Sequence, residues 1–572
     1  MSWIGEQLYR WWTTPWRIPQ IFQRKLQEGE PLIFGLNQER EKVIREVVAR
    51  VEKKYDEEKL PLEYLLNETA FDEIQRLEQQ QDEEARVMLA FWKGIARRLG
   101  KMSDGEVRRL LRQIIYKMAE DIAGNFDPRV YRVATHLVPH LLSVVMDPSD
   151  WIKDWNRGGG RKAIVDRLID VEGPLDLIRS VAQVATLIIV PTHSSNLDSI
   201  VVGYALMREG LPPVAYGAGK NLFTNPLIAF FMHNLGAYRV DRRVRARVYK
   251  DTLKSYSTVL IEWGYHSLFF PGGTRSRSGM VESKLKLGLV GTAIEAFSRN
   301  CIKGVHRPIV FVPATINYGL VLEAESLIDQ WLRERGRARY IPQADEFSQI
   351  ERWIALFEKA FEAEVRCVLR FAHPIDPFGN PVDEKGKSQD RSGRTIDPCT
   401  YAWHRGSPCL DQRRYEAYTR FLGEVLVRNY QRETVIMPTH LVAHILFRRL
   451  VRETPGADVF GRVRLRGEVK MPRNELEKEV GQVIEKLREL VENGQVRLFS
   501  SMRPLRPSKV VDIALRAFVG YHTRPVVVER AGEVVIEDPP LCLYYQNRMN
   551  AYAEKVAGPE DIRAAREIAS MV

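Results

Sequence analysis

Between residues 160 and 380, short apolar runs alternate with amphipathic stretches. The runs are Thr186-Leu-Ile-Ile-Val190, the stretches ending at Gly219 and Val240, Ser267-Leu-Phe-Phe-Pro-Gly-Gly273, Pro308 to Ile316, and Cys367 to Ile375. Strand-length runs separated by helix-length stretches predict an α/β domain with a central mixed sheet. A chain of 572 residues is too long for one core. Ahead of the sheet, Val43, Ile44, Val47, Val48 and Val51 recur at helical spacing. Ser103 and Glu106 form a capping box before a stripe of Val107, Leu110, Leu111, Ile114, Ile115 and Met118. A helical region is therefore expected over 31–155, with Asn156-Arg-Gly-Gly-Gly-Arg161 as linker. Residues 376–410, rich in Pro, Gly and charge, read as loop. Helices are expected again over 411–572, with an amphipathic one from Glu475 to Asn493 and a late hairpin turning at Ala531-Gly532. No internal repeat is read.

The net charge of +11 favours an anionic partner, such as an acidic membrane surface or a phosphorylated substrate. No apolar run is long enough to span a bilayer, and the start lacks the uninterrupted apolar core of a secretory signal. Residues 1–30 carry Trp3, Trp11, Trp12 and Trp16 among Arg10, Arg17, Arg24 and Lys25. This mixture suits the headgroup layer and is expected to be an interfacial anchor. The five cysteines are odd in number and include no CxxC pair. That argues against a disulfide framework or a zinc ribbon and for a reducing, cytosolic setting.

Pro191-Thr-His-Ser-Ser-Asn-Leu-Asp198 follows the first of these strands directly. Reactive groups of α/β domains sit at such strand ends. Thr192, Ser194, Ser195 and Asn196 are turn and cap formers, so a helix is expected to begin near Asn196, with Asp198 in its first turn. There its carboxylate reaches back to one imidazole nitrogen of His193, fixes the tautomer, and leaves the other nitrogen as a base for a hydroxyl. Downstream, Gly236-Ala-Tyr-Arg-Val-Asp-Arg-Arg243 and Phe269-Phe-Pro-Gly-Gly-Thr-Arg-Ser-Arg-Ser-Gly279 each follow a strand, and Lys284 and Lys286 come next. Glycines admit backbone N–H groups to an anion, and arginine forks bind phosphate oxygens.

These four blocks, the last ending in Pro313, resemble the motifs of the glycerolipid acyltransferases. His193 to Asp198 is similar to their H-x4-D motif. In detail the chain looks like the large, membrane-associated glycerol-3-phosphate acyltransferases. Ala314-Thr-Ile-Asn-Tyr318 with Glu323, and Leu541-Cys-Leu-Tyr-Tyr-Gln-Asn-Arg548, resemble further segments of that branch. The block match covers about 190–320. The resemblance implies His193 and Asp198 as catalytic residues. It implies Lys220, Arg242, Gly273, Arg275, Ser276, Arg277, Lys286 and Pro313 as the substrate-binding set. Backbone amides of the glycine-rich loop are then candidates for oxyanion stabilisation. Neither metal nor cofactor is implied. The implied partners are glycerol 3-phosphate, acyl-CoA or an acyl carrier protein, and the cytoplasmic face of a membrane, as at a bacterial inner membrane. Two departures stand out. Gly272 lies where the family usually has glutamate, and Asp241 adds negative charge beside Arg242. The acceptor therefore stays open between glycerol 3-phosphate, dihydroxyacetone phosphate and a lysophospholipid. A non-catalytic lipid-binding scaffold is the alternative of another class.

Other signals are weaker. His440 and His444, like His136 and His140, have the i, i+4 spacing of a zinc pair, but no HExxH glutamate accompanies them. The late hairpin could be a winged-helix element, but no recognition helix stands out, so no nucleic-acid partner is expected.

Overall fold

The structure is a computed structural model that describes residues 26–80, 83–135, 168–219, 226–336, 366–404, 406–502, 506–520 and 522–571. Residues 1–25, the linker 156–161, Lys220, His136 and His140 lie outside these ranges.

Seven strands form one mixed sheet: β1 (Ile169–Glu172), β2 (Thr186–Pro191), β3 (Ala215–Gly219), β4 (Ala237–Val240), β5 (Ser267–Leu268), β6 (Ile309–Tyr318) and β7 (Cys367–Phe371). Their order is β1-β7-β6-β2-β5-β3-β4. Every pairing is parallel except β6 with β7. All residues of β2 and β6 are buried, as apolar, β-branched runs covered on both faces should be. Six of the strands fall on the runs read from sequence. The seventh, β1, is four residues with one fully buried side chain, too short and polar to register as a run.

The principal helices, in chain order, are α1 (Leu36–Glu57), α2 (Leu62–Leu77), α3 (Glu83–Ala96), α4 (Asp104–Ile122), α5 (Leu175–Val184), α6 (Asp198–Arg208), α7 (Pro226–Asn234), α8 (Arg247–Glu262), α9 (Val290–Lys303), α10 (Ala324–Arg335), α11 (Gln412–Glu433), α12 (Pro438–Glu453), α13 (Arg473–Glu492), α14 (Pro507–Gly520) and α15 (Pro539–Gln546). The Ser103–Glu106 capping box is present at the start of α4. The valine stripe of α1 faces α8, sharing a core with Val248, Tyr256, Val259 and Leu260. Arg50 and Lys54 of α1 reach Glu262 and Asp251 of α8 at 2.6 Å and 2.8 Å. On the other side, β6 and β7 share one apolar cluster with α12, α13, α14 and α15.

The late hairpin pairs Val527–Arg530 with Glu533–Ile536 across Ala531 and Gly532, both at positive φ. Two left-handed central residues are what a type I′ turn requires. The hairpin takes a third strand, Lys470–Pro472, and buries Val527, Val534 and Ile536 in the same cluster as β6.

Two expectations are corrected. Residues 376–394 are a repeat: Asp-x-x-Gly recurs every seven residues, at Asp376/Gly379, Asp383/Gly386 and Asp390/Gly393. Each aspartate Oδ1 accepts the N–H groups two and four residues on, at 2.8–3.0 Å. Each glycine supplies the positive φ that closes the turn. Successive turns bond to one another, Gln389 N–H to Pro381 O and Ile396 N–H to Ser388 O. The period is short and its polar residues look like ordinary loop composition, which is why it escapes a reading by composition. Cysteine pairing is the second correction. Cys301, at the end of α9, and Cys399, just after the ladder, form a disulfide. With a sequence separation of 98, spacing gives no hint of the pair; only the docking of the ladder brings them together.

Candidate active site

Strands β2 to β6 run the same way, so the segments leaving their C-terminal ends share one edge of the sheet. Thr192–Leu197 leaves β2, Asp241–Ala246 leaves β4, the glycine-rich loop leaves β5 and Gly319–Glu323 leaves β6.

The helix after β2 begins at Asp198, whose side chain is fully buried. Asp198 Oδ2 lies 2.7 Å from His193 Nδ1 and accepts the N–H groups of Ser194 and Ser195 at 2.6 Å and 3.0 Å. Its Oδ1 accepts the Tyr318 hydroxyl at 2.8 Å. Every one of these contacts uses the carboxylate as an acceptor. It can only accept from the ring, so His193 Nδ1 carries the proton and Nε2 presents its lone pair. The imidazole stacks on Phe270, with ring centroids 4.3 Å apart. Sequence reasoning missed Tyr318 as a holder of Asp198. Its signal is the position one residue past Asn317 on β6, and only the β2–β6 pairing brings it to Asp198.

Glu323, buried beyond β6, accepts from Ser195 Oγ and Asn196 N–H, both at 2.9 Å, and lies 3.4 Å from Arg275. It therefore fastens the histidine loop to the glycine-rich loop. Burial raises its carboxyl above the usual range, and Arg275 counters.

Arg242 is exposed and has no hydrogen-bond or ion-pair partner among the described residues. Desolvation by surrounding protein, then the charge of Arg275, push its guanidinium below the ordinary value. Two mutually repelling guanidinium groups, one without a carboxylate partner, are what an anion site requires. Asp241 does not cancel it. That carboxylate turns onto the Arg243 N–H at 3.0 Å and side chain at 3.2 Å.

The remaining residues of the expected substrate set fall in different places. Ser276 N–H donates to His193 O at 2.8 Å and its hydroxyl to Met280 O at 2.8 Å. Gly273 N–H is taken by Phe270 O at 3.0 Å, and its positive φ lets the Lys286 stem cross where a Cβ would stand. Those two amides are thus committed within the protein. Arg277 forms an ion pair with Glu334 of α10. Pro313 is buried in β6 opposite Val190. Lys220 lies outside the described residues.

The C-terminal region braces this edge. Arg548 donates to Ile316 O at 2.8 Å and Asn317 Oδ1 at 3.2 Å; Asn547 donates to Ser278 O at 2.8 Å. His440 Nδ1 accepts Met437 N–H at 3.2 Å, so its Nε2 donates to Tyr318 O, 3.1 Å away. His440 thereby supports the strand that holds Asp198.

A family model described as Acyltransferase matches residues 176–317. This stretch of the chain is similar to an acyltransferase domain. The match takes in β2, runs to Asn317 of β6 and includes the loops after β2, β4 and β5. A second model, Glycosyl hydrolase family 57, matches residues 310–503. That stretch holds β6, the turn ladder and α11 to α13. Its buried Glu433 is engaged by Arg370 and Arg497, and its buried Asp376 by its own turn, so neither is poised as a glycosidase acid or base. Among curated relatives, the glycerol-3-phosphate acyltransferase of Ectopseudomonas mendocina is 30% identical over 222 residues, 38% of this chain and 24% of that protein. The enzyme of the same name from Pseudomonas paraeruginosa is 31% identical over 157 residues, 27% and 18% of the two chains. That from Histophilus somni is 28% identical over 230 residues, 40% and 25%. The chain thus covers a quarter or less of each of these relatives.

Proposed function

We propose that the protein transfers a fatty acyl group from a thioester to the sn-1 hydroxyl of glycerol 3-phosphate. The observation that carries this reading is the His193–Asp198 pair, its carboxylate fully buried, at the same sheet edge as Arg242, whose guanidinium has no carboxylate partner among the described residues. Asp198 keeps the proton of His193 on Nδ1. Nε2 removes the proton of the acceptor hydroxyl as its oxygen attacks the thioester carbonyl, and the thiol of coenzyme A or a carrier protein leaves. Arg242 and Arg275 hold the acceptor phosphate. The relatives' names support that acceptor.

The site works at a membrane surface on the cytoplasmic side, where such thioesters are met, with the tryptophan-rich residues 1–30 as an interfacial contact. No described helix is long and apolar enough to cross a membrane.

The test is thiol release from palmitoyl-CoA by detergent-solubilised protein, with and without glycerol 3-phosphate, alongside His193→Ala. Release that requires glycerol 3-phosphate and vanishes in the variant is expected. Release with dihydroxyacetone phosphate or a lysophospholipid alone would move the assignment to that acceptor. Absence of release with every donor and acceptor, with vesicle binding retained, would leave the scaffold reading.

A further inference from the structure

Glu282 sits ten residues beyond Gly272, where the glycine-rich loop folds back. Its Oε1 accepts the His193 main-chain N–H at 2.5 Å. A Cβ built on Gly272 would stand 3.1 Å from Glu282 Cγ and 3.3 Å from Oε1. The side chain of Glu282 thus fills the place where a side chain from 272 would begin. Its other oxygen, Oε2, is shielded from solvent and has no hydrogen-bond partner among the described residues. A buried carboxylate without a full set of donors is costly, and its persistence calls for a role. Burial raises its carboxyl above the usual range, while Arg548 and His193 draw it back.

We propose that Glu282 is the positioning carboxylate of the site. It clamps the main chain of His193 to the glycine-rich loop, and residue 272 is glycine because Glu282 takes that space. This rests on His193 being the base. The ring is then held at two ends, by Asp198 at Nδ1 and by Glu282 through the backbone, with Phe270 against its face. A carboxylate from 272 would reach the same N–H, since its Cβ would start 3.3 Å from the present Oε1. The two positions are therefore alternative sources of one carboxylate, and two at once would clash and repel.

The experiment compares Glu282→Ala, Glu282→Gln, Gly272→Glu and the double variant Gly272→Glu/Glu282→Ala. Two readouts are taken: steady-state kinetics, and the rate at which diethyl pyrocarbonate modifies His193, followed by peptide mass spectrometry. Glu282→Ala is expected to lower kcat about 30-fold or more, leave KM for glycerol 3-phosphate within about twofold, and raise the His193 modification rate several-fold. Glu282→Gln keeps an acceptor for the N–H and stays within about fivefold of wild type. Gly272→Glu alone is impaired, and the double variant recovers at least about tenfold over it. Wild-type protein that turns over no thioester would defeat the proposed function, yet His193 modification still decides this inference. His193 reacting at the wild-type rate in Glu282→Ala overturns it. Simultaneous reactivity of the buried His440 and His444 would signal unfolding of the variant. If Glu282→Ala does not fold, the double variant decides. Recovery of folding and turnover supports the relocated carboxylate, and no recovery overturns it.

Discussion

At the residue scale, the site depends on who donates to Asp198. Its three donors besides His193 are two backbone N–H groups and the Tyr318 hydroxyl. Tyr318→Phe removes one charge-assisted bond from a fully buried carboxylate, a loss of about 1.5–3 kcal/mol in local organisation. We expect kcat to fall about 10-fold to 100-fold with the fold intact, read by steady-state kinetics and circular dichroism. Asp198→Asn removes the charge itself and is expected to cost more. His266 gives a pH prediction. Its Nδ1 accepts the Leu187 N–H at 3.0 Å, and burial, helped by Arg307, pushes its pKa down to about 4. The folded value is below the unfolded one of about 6.5. Between those values the unfolded state binds more protons, so this contribution to stability is present above pH 6.5 and is lost as pH falls toward 4. The full difference is about 3 kcal/mol. His266→Gln keeps an acceptor for Leu187 without titrating. Urea unfolding from pH 7.5 to 4.5 should show the wild type losing stability relative to the variant; parallel curves would refute the assignment.

At the element scale, the glycine-rich loop is held between His193 and α15. Gly279 has φ +82°, and a Cβ there would lie 2.1 Å from Tyr544 O. Gly279→Ala must therefore push the loop off α15 and disturb the Asn547–Ser278 bond. We expect a lower melting temperature and a rise in KM for the phosphorylated acceptor, as Arg275 shifts with the loop. A variant with wild-type KM and melting temperature would show that the close approach is dispensable. Much at this scale was legible in advance. Six strands, the capping box of α4 and the I′ turn at Ala531-Gly532 follow from local residue chemistry. β1 and the Asp-x-x-Gly ladder did not, because a four-residue edge strand and polar turns leave no apolar periodicity to read.

At the scale of the whole molecule, the C-terminal helices are continuous with the sheet. Val310 and Val312 of β6 share a cluster with Leu441, Val442 and Phe447 of α12 and with Leu541 and Leu543 of α15. Removing residues 411–572 would expose that face of β6 and strip Arg548 and His440 from the strand behind Asp198. We expect the truncated chain to aggregate. In the intact chain, hydrogen exchange of β6 and α12 amides should report one common opening free energy. A soluble 26–404 fragment with native near-ultraviolet circular dichroism would contradict a shared core.

Sequence by itself determined the α/β class, the strand ends and the placement of His193 five residues before Asp198. These depend on side chains near one another along the chain, where periodicity, turn chemistry and motif spacing act. Only the tertiary structure decided which distant groups complete the site. Tyr318 reaches Asp198 through the β2–β6 register, Glu282 reaches the His193 backbone across the loop, and Arg548 arrives from the far end of the chain. Each contact spans scores to hundreds of residues. It exists because parallel strands bring their C-terminal ends to one edge, a geometry that no local pattern encodes.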